Sequence, residues 1–191
     1  MTISLLVAND KTSKDFIKET ITQFHSYVPS TSSVGRRIDW VVFNDDKPIG
    51  MIGIGSSVYP PPKDILKHTK LSIKEYKNKF NSFANNWRFC MREKIRNAGT
   101  QILKELRRQA PLYWKQKYND DLLYLITFVA GGNNGAVYKA DNWSQIGQTS
   151  GLPPHKSISM KWDTHESLKE KYVKPTGENK KLIFFKKIVQ K

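Results

Sequence analysis

The sequence predicts a single α/β domain. Segments typical of β-strands interchange along the chain with segments that have helical periodicity. The chain has 191 residues, a length that suits one domain and is sufficient for a hydrophobic core. Aromatic residues make up 12% of the chain, which excludes a disordered basic tail because such tails lack aromatic side chains. We find neither an internal repeat nor a clear linker, so residues 1–191 are assigned to one domain.

The strands are predicted from short apolar runs bounded by turn-forming residues. The Asp45-Asp46 pair lies between two such runs and is a turn signal, so these runs are expected to form a hairpin. Residues 122–129 are the most hydrophobic run and are expected to form a central strand. The predicted strands, the first of which could instead be an arm, are residues 1–10, 38–44, 48–56, 87–91, 122–129, 136–140, 156–162 and 180–188.

The helices are predicted from apolar residues at three- and four-residue spacing. Residues 11–27 are expected to form a helix that Ser13 caps, because a serine hydroxyl can accept a bond from a free N–H group. The lysine-rich residues 63–85 are also interpreted as helical. Residues 97–110 form the helix with the clearest apolar stripe, and Pro111 is expected to interrupt it.

Charge and cysteine content restrict the class of protein. Lys and Arg number 32 against 17 Asp and Glu, a formal net charge of +15, which attracts polyanions. Nucleic acid is the commonest polyanionic partner, and an anionic membrane surface is the alternative. No apolar run is long enough to span a bilayer, and the first residues lack the features of a signal peptide. The single cysteine, Cys90, excludes a disulfide framework within the chain and is interpreted as a small core residue rather than a catalytic thiol.

Basic residues occur in blocks along the chain, and these blocks contain fewer acidic than basic residues. Such a block is often only a solvated face, but the excess favours a surface that contacts the nucleic-acid backbone. Contacts of this kind position a protein without reading the base sequence. The side chains expected to contact the backbone are Arg36, Arg37, Lys104, Arg107 and Arg108.

The segment from Gly135 to Gly151, here called the signature segment, concentrates a phenol, a carboxylate, an amide and an indole at the end of a predicted strand. Such a strand end is a plausible place for a pocket in an α/β protein. The alternative is structural, with Tyr138 and Trp143 in the core and Asp141 and Asn142 holding a turn.

The signature segment resembles the pattern YxAxNWxxxGxTxG, which is shared by the Druantia DruA-type domain and the phage Mom DNA-modification proteins. Matches follow one another in the same order over about residues 20–190, nearly the whole chain. Alanine occupies position 130, where Mom-like relatives have an acidic residue at the end of the preceding strand. The further matching segments are residues 24–27, 34–37, 48–56, 86–89, 97–103 and 123–129.

The resemblance implies a GNAT-like fold, in which helices flank a central, mixed and largely antiparallel sheet. It also implies hypermodification of adenine N6 in phage DNA, which blocks restriction enzymes, in the cytoplasm of a bacterial host cell. The donor would be an acyl-CoA such as acetyl-CoA, and the metal requirement is left open. The acceptor adenine would have to leave the duplex stack before it could react.

Site residues follow from the resemblance and from the chemistry of each side chain. Tyr138 and Asp141 would orient or deprotonate the acceptor amine, and Arg88 would stabilise negative charge. His25 and Tyr27 could act in proton transfer. Each has a structural alternative: Arg88 could face solvent on a strand, and His25 could simply end a helix.

Two further groups complete the predicted site. Backbone N–H groups at a helix start could hold the donor's diphosphate, although Asn97 could equally be an ordinary N-cap. The flipped base would need an aromatic surface and amide or hydroxyl groups along its edge. The predicted donor loop comprises Arg96, Asn97, Gly99 and Thr100, and the predicted base pocket comprises Asn142, Trp143 and Ser56.

Three functions are therefore compatible with the sequence. The first is a Mom-like transferase that modifies adenine in DNA. The second is a non-enzymatic nucleic-acid-binding module of a phage defence or counter-defence system, which the alanine at position 130 favours. The third is an N-acetyltransferase of protein amines. The basic charge of the chain disfavours it, because an enzyme that binds basic substrates is expected to have an acidic surface.

Overall fold

A computed structural model describes residues 2–25, 31–32, 34–130, 132–149 and 180–188. The predicted strand at 156–162 and the predicted site residue Tyr27 lie outside these ranges. The strands are β1 (Ile3–Val7), β2 (Arg37–Asn44), β3 (Lys47–Ser56), β4 (Phe83–Met91), β5 (Tyr124–Val129), β6 (Ser144–Gln148) and β7 (Leu182–Lys187). The helices are α1 (Lys11–Phe24), α2 (Lys63–Thr69), α3 (Ile73–Asn78), α4 (Ala98–Tyr118) and α5 (Ala136–Ala140), with a 3-10 turn at Phe80–Ser82.

The strands form one sheet in the order β1-β2-β3-β4-β5-β7-β6. Every neighbouring pair is antiparallel except β4 and β5, which are parallel. The predicted hairpin is confirmed, because Asp45 and Asp46 form the two-residue turn between β2 and β3 and Asp45 has a left-handed φ of 52°. The mixed, largely antiparallel sheet flanked by helices is the expected fold class.

Side chains alternate between the two faces of the sheet, and each face is covered by its own helices. The first face packs against α4 and α5 and includes Trp40, Ile52 and Phe184. On the second face, α1 covers Val41 and Met51, at the β2–β3 side of the sheet. The helices α2 and α3 cover the β5, β7 and β6 side of this second face. None of the helices in the described ranges is both long and apolar enough to cross a bilayer.

Two predictions, about helices α1 and α4, need correction. Asp10, not Ser13, caps α1, because the Asp10 carboxylate accepts a hydrogen bond from the Ser13 backbone N–H at 2.9 Å. Helix α4 continues through Pro111 to Tyr118. The loss of one helical hydrogen bond at the proline is offset because the apolar face continues, with Ala110 and Trp114 both fully buried.

Residues 136–140 form the short helix α5 rather than the predicted strand. The chain turns at Gly135, whose φ is +68°, and the Gly135 carbonyl accepts from the N–H groups of Tyr138 and Lys139. A side chain at position 135 would meet the Phe184 ring at 2.3 Å, so only glycine fits there. The predicted helix 63–85 is likewise too long, because β4 begins at Phe83 rather than at Trp87.

Candidate active site between β4 and β5

The two parallel strands β4 and β5 are paired over only part of their length. Their pairing begins at Phe83 and Tyr124 and ends at Asn85 and Ile126. Strand β4 runs on to Met91 while bonded to β3 on its other side. Just past this point the Thr127 hydroxyl still donates to the Asn86 carbonyl at 3.1 Å. Beyond it β4 and β5 are not paired with each other, and we call this unpaired stretch the β4–β5 opening.

A bulge in β4 shapes one wall of the β4–β5 opening. Gly53 pairs with Arg88 and Ile54 pairs with Asn86, so Trp87 is an extra residue in the ladder. The Asn86 amide Nδ2 donates to the carbonyl oxygens of Gly53 at 2.8 Å and of Arg88 at 3.0 Å. The buried Asn86 side chain therefore satisfies carbonyl groups at the bulge and holds the backbone of Arg88 in place.

Two guanidinium groups lie over the bulged tryptophan. The carbon at the centre of each group is 4.0 Å (Arg37) or 4.7 Å (Arg88) from the centre of the Trp87 ring. The Trp87 indole N–H donates to Asp39 at 2.9 Å, and Asp39 also forms an ion pair with Arg37 at 2.5 Å. Burial raises the pKa of Asp39 against the opposing effect of Arg37. The Asp39 carboxylate therefore holds both the Arg37 guanidinium and the Trp87 indole in place.

His25 and Lys181 lie near the same guanidinium. His25 follows the last residue of α1 as its C-cap and is half-buried. Its pKa is lowered first by burial and then by the positive charge of Arg88. Burial and the same charge also lower the pKa of Lys181, which precedes β7. His25 is therefore largely neutral at pH 7 and able to accept a proton, next to an arginine that can stabilise negative charge.

The N-terminus of α4 follows directly after β4, at the end of that strand which borders the β4–β5 opening. Asn97 occupies the N-cap position with a left-handed φ of 61°, and its side chain makes no capping hydrogen bond. No acidic residue lies in the first turn. The N–H groups of that turn, together with the helix dipole, are therefore suited to bind an anion.

The other residues of the predicted donor loop are placed differently. Arg96 is exposed, and the Thr100 hydroxyl donates to the Asn97 carbonyl at 3.1 Å. A side chain at Gly99 would come within 2.4 Å of Val137 on α5. The glycine is thus required for close packing of α4 against α5, and this requirement does not depend on a donor.

Tyr138, in the signature segment, is part of the core. Its ring stacks on Phe184, with 5.6 Å between ring centres, and meets the edge of Trp143 at 5.1 Å. Its hydroxyl is 2.7 Å from the Asn86 Oδ1 atom. Because the Asn86 amide donates to two carbonyls, Oδ1 can only accept, and Tyr138 is the donor. Burial raises the pKa of Tyr138 to about 12.

Asp141 and Trp143 are also engaged internally. The Asp141 carboxylate accepts from the Trp143 indole at 2.9 Å and forms an ion pair with Arg107. Asp141 is only 8% exposed and Trp143 only 4%. Asn142 is exposed, with a left-handed φ of 56°. This arrangement matches the structural alternative, a turn anchored in the core.

The predicted site residues therefore fall into two groups. Tyr138, Asp141 and Trp143 belong to the face covered by α4 and α5. Arg88, beside the bulge of β4, and His25, at the end of α1, lie near each other, because the charge of Arg88 lowers the pKa of His25. The Asn86 side chain touches both groups, since it bonds the Tyr138 hydroxyl on one side and the Arg88 carbonyl on the other. Ser56 lies apart from both and accepts the Arg36 N–H at 2.9 Å.

Sequence reasoning missed three residues of this site, Asn86, Trp87 and Asp39. A bulge leaves no periodic signal in the sequence, so the role of Trp87 could not be read from it. The adjacent Asn85-Asn86 pair within an otherwise apolar strand was the one available sign, because buried amides require partners. Among the described residues, no three His, Cys, Asp or Glu side chains are grouped so that they could hold a metal ion. Cys90 is a buried thiol, and burial raises its pKa to about 11.

The arginines expected to contact a nucleic-acid backbone are largely engaged within the protein. Arg36 pairs with Asp120 at 2.5 Å, and Arg108 pairs with Glu105 at 2.7 Å. Arg37 and Arg107 form the ion pairs with Asp39 and Asp141 described above. Of the five predicted side chains, Lys104 is exposed without such an ion pair in the described structure.

Comparisons with known proteins establish the fold. No protein-family model and no curated protein matches the chain. The aminoglycoside 6'-N-acetyltransferase from Enterococcus faecium superposes with a TM-score of 0.54 at 12% identity, over 100% of this chain and 99% of that one. RimL, a ribosomal alpha-N-protein acetyltransferase, superposes with a TM-score of 0.54 at 11% identity, over 100% of this chain and 96% of RimL. The aminoglycoside acetyltransferase AAC(6')-Ib in complex with coenzyme A superposes with a TM-score of 0.55 at 8% identity, over 97% of this chain and 95% of that one.

These structures define the class: the chain has the fold of the GNAT acetyltransferases, which confirms the expected fold. At such low identity the likeness concerns the fold alone.

Proposed function

We propose that this protein is an acyl-CoA-dependent transferase that acylates adenine N6 in DNA and thereby protects the DNA from restriction. The observation that carries the proposal is the β4–β5 opening beside the uncapped N-terminus of α4. A donor that is both elongated and anionic fits this combination of an unpaired strand end and a helix N-terminus that has neither a side-chain cap nor an acidic residue in its first turn.

The residues present fit an acyl-CoA. The first turn of α4 would hold its diphosphate through backbone N–H groups, with exposed Lys94 and Arg96 nearby in sequence. When bound, such a donor supplies an activated acyl group as a thioester. AAC(6')-Ib, which has the same fold, is solved with coenzyme A, and this supports the assignment of the donor.

The side chains at the β4–β5 opening can perform the remaining chemistry. The acceptor nitrogen would bond to the acyl carbon, the carbon–sulfur bond of the thioester would break, and coenzyme A would leave as its thiolate. His25 would accept the proton that the amine loses, because its lowered pKa keeps it neutral near pH 7. Arg88 would stabilise negative charge that develops on the acyl oxygen. The net charge of +15 supports a polyanionic acceptor, and the resemblance to the Mom proteins supports adenine N6 as the amine.

The experiment is to incubate the purified protein with acetyl-CoA and duplex DNA, digest the DNA to nucleosides and measure their masses. We expect a deoxyadenosine that is heavier by one acyl group and that is absent with the Arg88→Gln variant. The same nucleoside should occur in DNA from cells that express the protein. Unmodified nucleosides, from a folded protein that binds acetyl-CoA, would reject DNA as the acceptor while retaining the donor.

A non-enzymatic nucleic-acid-binding module is the second candidate. It is favoured by the internal engagement of Tyr138 and Asp141 and by the alanine at position 130. In that case the protein would bind DNA equally well with and without acetyl-CoA. Arg88→Gln would then leave its effect on phage infection unchanged, whereas the transferase requires Arg88.

A further inference from the structure

The connection from β3 to β4, residues 57–82, contains α2 and α3 and bears a cluster of basic side chains. We propose that this cluster docks the phosphate backbone of duplex DNA and presents the duplex to the β4–β5 opening, an inference that rests on the proposed DNA acceptor. We call the cluster the α2–α3 lysine surface. Its members are all exposed, and they are Lys63, Lys67, Lys70, Lys74, Lys77 and Lys79.

The lysines of this surface are not neutralised by the part of the protein that the structure describes. None of them forms an ion pair with another described residue, in contrast to Arg36, Arg37, Arg107 and Arg108. Residues 57–82 contain two acidic side chains, Asp64 and Glu75. Glu75 is used in a capping box with Ser72. The surface therefore retains positive charge that is available to a partner.

The α2–α3 lysine surface is held on a rigid base. Ile65 of α2 and Tyr76 of α3 are fully buried against the sheet. The Tyr76 hydroxyl is 2.7 Å from the Ser57 hydroxyl and donates to the Val58 carbonyl at 3.1 Å. Lysines on a fixed scaffold lose less conformational freedom on binding than lysines on a flexible tail.

The location of this surface relates it to the β4–β5 opening. The helices α2 and α3 cover β5, β7 and β6, and α1 covers β2 and β3, on the same face of the sheet. His25 ends α1 on that face, next to Arg88. A duplex that lies on the lysines would therefore run alongside the opening on the face where the reactive side chains lie.

The chemistry of the surface favours DNA over a membrane. A helix that binds a bilayer surface needs a continuous apolar face, but the apolar residues of α2 and α3 are used in the core, apart from Ile73. A DNA duplex carries one negative charge per roughly 1.7 Å of its axis, which suits several lysines spread over two helices. Lysine binds phosphate as a point charge and needs no particular base sequence.

Helix α1 provides a matched control. Its exposed lysines Lys11, Lys14 and Lys18 lie among the acidic residues Asp10, Asp15 and Glu19, so their charges are balanced locally. Replacing these three lysines by glutamine removes the same charge as replacing Lys67, Lys70 and Lys74.

The experiment measures binding of a fluorescent DNA duplex by anisotropy at several salt concentrations, with acetyl-CoA binding by calorimetry as a check on folding. The slope of log K against log salt is negative. For the Lys67→Gln/Lys70→Gln/Lys74→Gln variant, we expect its magnitude to decrease by about 0.9 for each lysine removed. Affinity at low salt should fall at least tenfold, while acetyl-CoA binding stays unchanged. The α1 triple variant should keep most of the wild-type slope.

Equal slopes for the two triple variants would overturn the proposal, as would binding to duplex RNA or to anionic vesicles but not to duplex DNA. If the α2–α3 variant does not fold, Lys67→Gln and Lys74→Gln are tested singly, each with an expected slope change of about 0.9. The two proposals can fail separately. If the wild-type protein modifies adenine but the α2–α3 variant binds DNA normally, the docking surface is wrong and the proposed function stands. DNA binding through the lysines with no modified nucleoside would do the reverse.

Discussion

Two regions meet at Asn86 from opposite faces of the sheet, and they hold similar side chains in different ways. The signature segment contributes Tyr138, Asp141 and Trp143, all buried. The bulge of β4 contributes Trp87 and Arg88, with His25 beside them, all half-buried. Both regions combine aromatic rings with charged groups, but only the second lies where β4 is no longer paired with β5.

The difference shows how a conspicuous cluster of polar residues can serve stability rather than chemistry. Each polar atom named in the signature segment has an internal partner: the Tyr138 hydroxyl bonds Asn86, and the Asp141 carboxylate bonds Arg107 and Trp143. A group that is satisfied in this way must give up its partner before it can bind a substrate, and that exchange costs free energy. We therefore expect mutations in the two regions to have different consequences.

The largest expected effect is on stability, from Asp141→Ala. This change leaves the Arg107 guanidinium and the Trp143 indole without their buried acceptor, so the free energy of unfolding should fall by about 3 kcal/mol. Urea denaturation measures the loss. The control is Asp121→Ala, which breaks the exposed pair with Lys115 and should cost less than ~0.5 kcal/mol. A variant that is inactive yet as stable as the wild type would make Asp141 a catalytic residue.

Arg88→Gln should have its main effect on activity. Loss of the guanidinium removes the stabilisation of negative charge at the β4–β5 opening, so kcat/KM for acyl transfer should fall about 100-fold, or ~2.7 kcal/mol. Steady-state kinetics with acetyl-CoA and duplex DNA give the ratio. Thermal unfolding is measured alongside, because the Arg88 side chain also donates to the Trp87 carbonyl at 2.8 Å and lies over the Trp87 ring, so its loss should also cost about 1 kcal/mol of stability. Activity within twofold of wild type would exclude this role for Arg88.

Tyr138→Phe tests the buried contact between the two regions. The variant keeps the ring but leaves the Asn86 Oδ1 atom without its donor, which should lower the free energy of unfolding by about 1–2 kcal/mol. We expect kcat/KM to change less than threefold. Tyr124→Phe is the matched control, because the Tyr124 hydroxyl makes no hydrogen bond to the described residues. A large loss of kcat with unchanged stability would contradict the structural role.

The smallest expected effect is on the titration of His25. Burial and the charge of Arg88 lower its pKa below 6.5, and Arg88→Gln should move the pKa back toward 6.5. Because folding lowers the pKa of His25, the unfolded chain binds a proton more readily than the folded protein. The neutral side chain costs no stability above pH 6.5, and stability is lost as the pH falls through the folded pKa. Proton NMR of the histidine ring gives the pKa in both proteins, and urea denaturation at several pH values gives the change in stability. An unchanged pKa in the variant would show that the two side chains do not interact.

Prediction from sequence was successful where the signal was local. The two-residue turn at Asp45-Asp46, the apolar run of β5 and the stripe on α4 each depend on residues close together in the chain. Prediction failed for α5, because the pattern AVYKA favours a strand. Two tertiary contacts select a helix instead: Gly135 packs against Phe184, and Val137 packs against Gly99 of α4. It also failed for the N-cap of α1, because Asp10 and Ser13 are both good capping residues and only the geometry distinguishes them.

The sequence by itself determined most strands of the sheet, its helical covering and the excess of positive charge, because apolar period and charge are properties of the chain. It did not predict β6 (Ser144–Gln148). Only the tertiary structure decided which polar groups remain available. That choice depends on partners far apart in sequence, such as Asp141 with Arg107 and Tyr138 with Asn86. It also decided which basic residues are free for a partner. Arg36 and Arg107 pair with carboxylates far away in sequence, Asp120 and Asp141, whereas the lysines of α2 and α3 form no ion pair with another described residue.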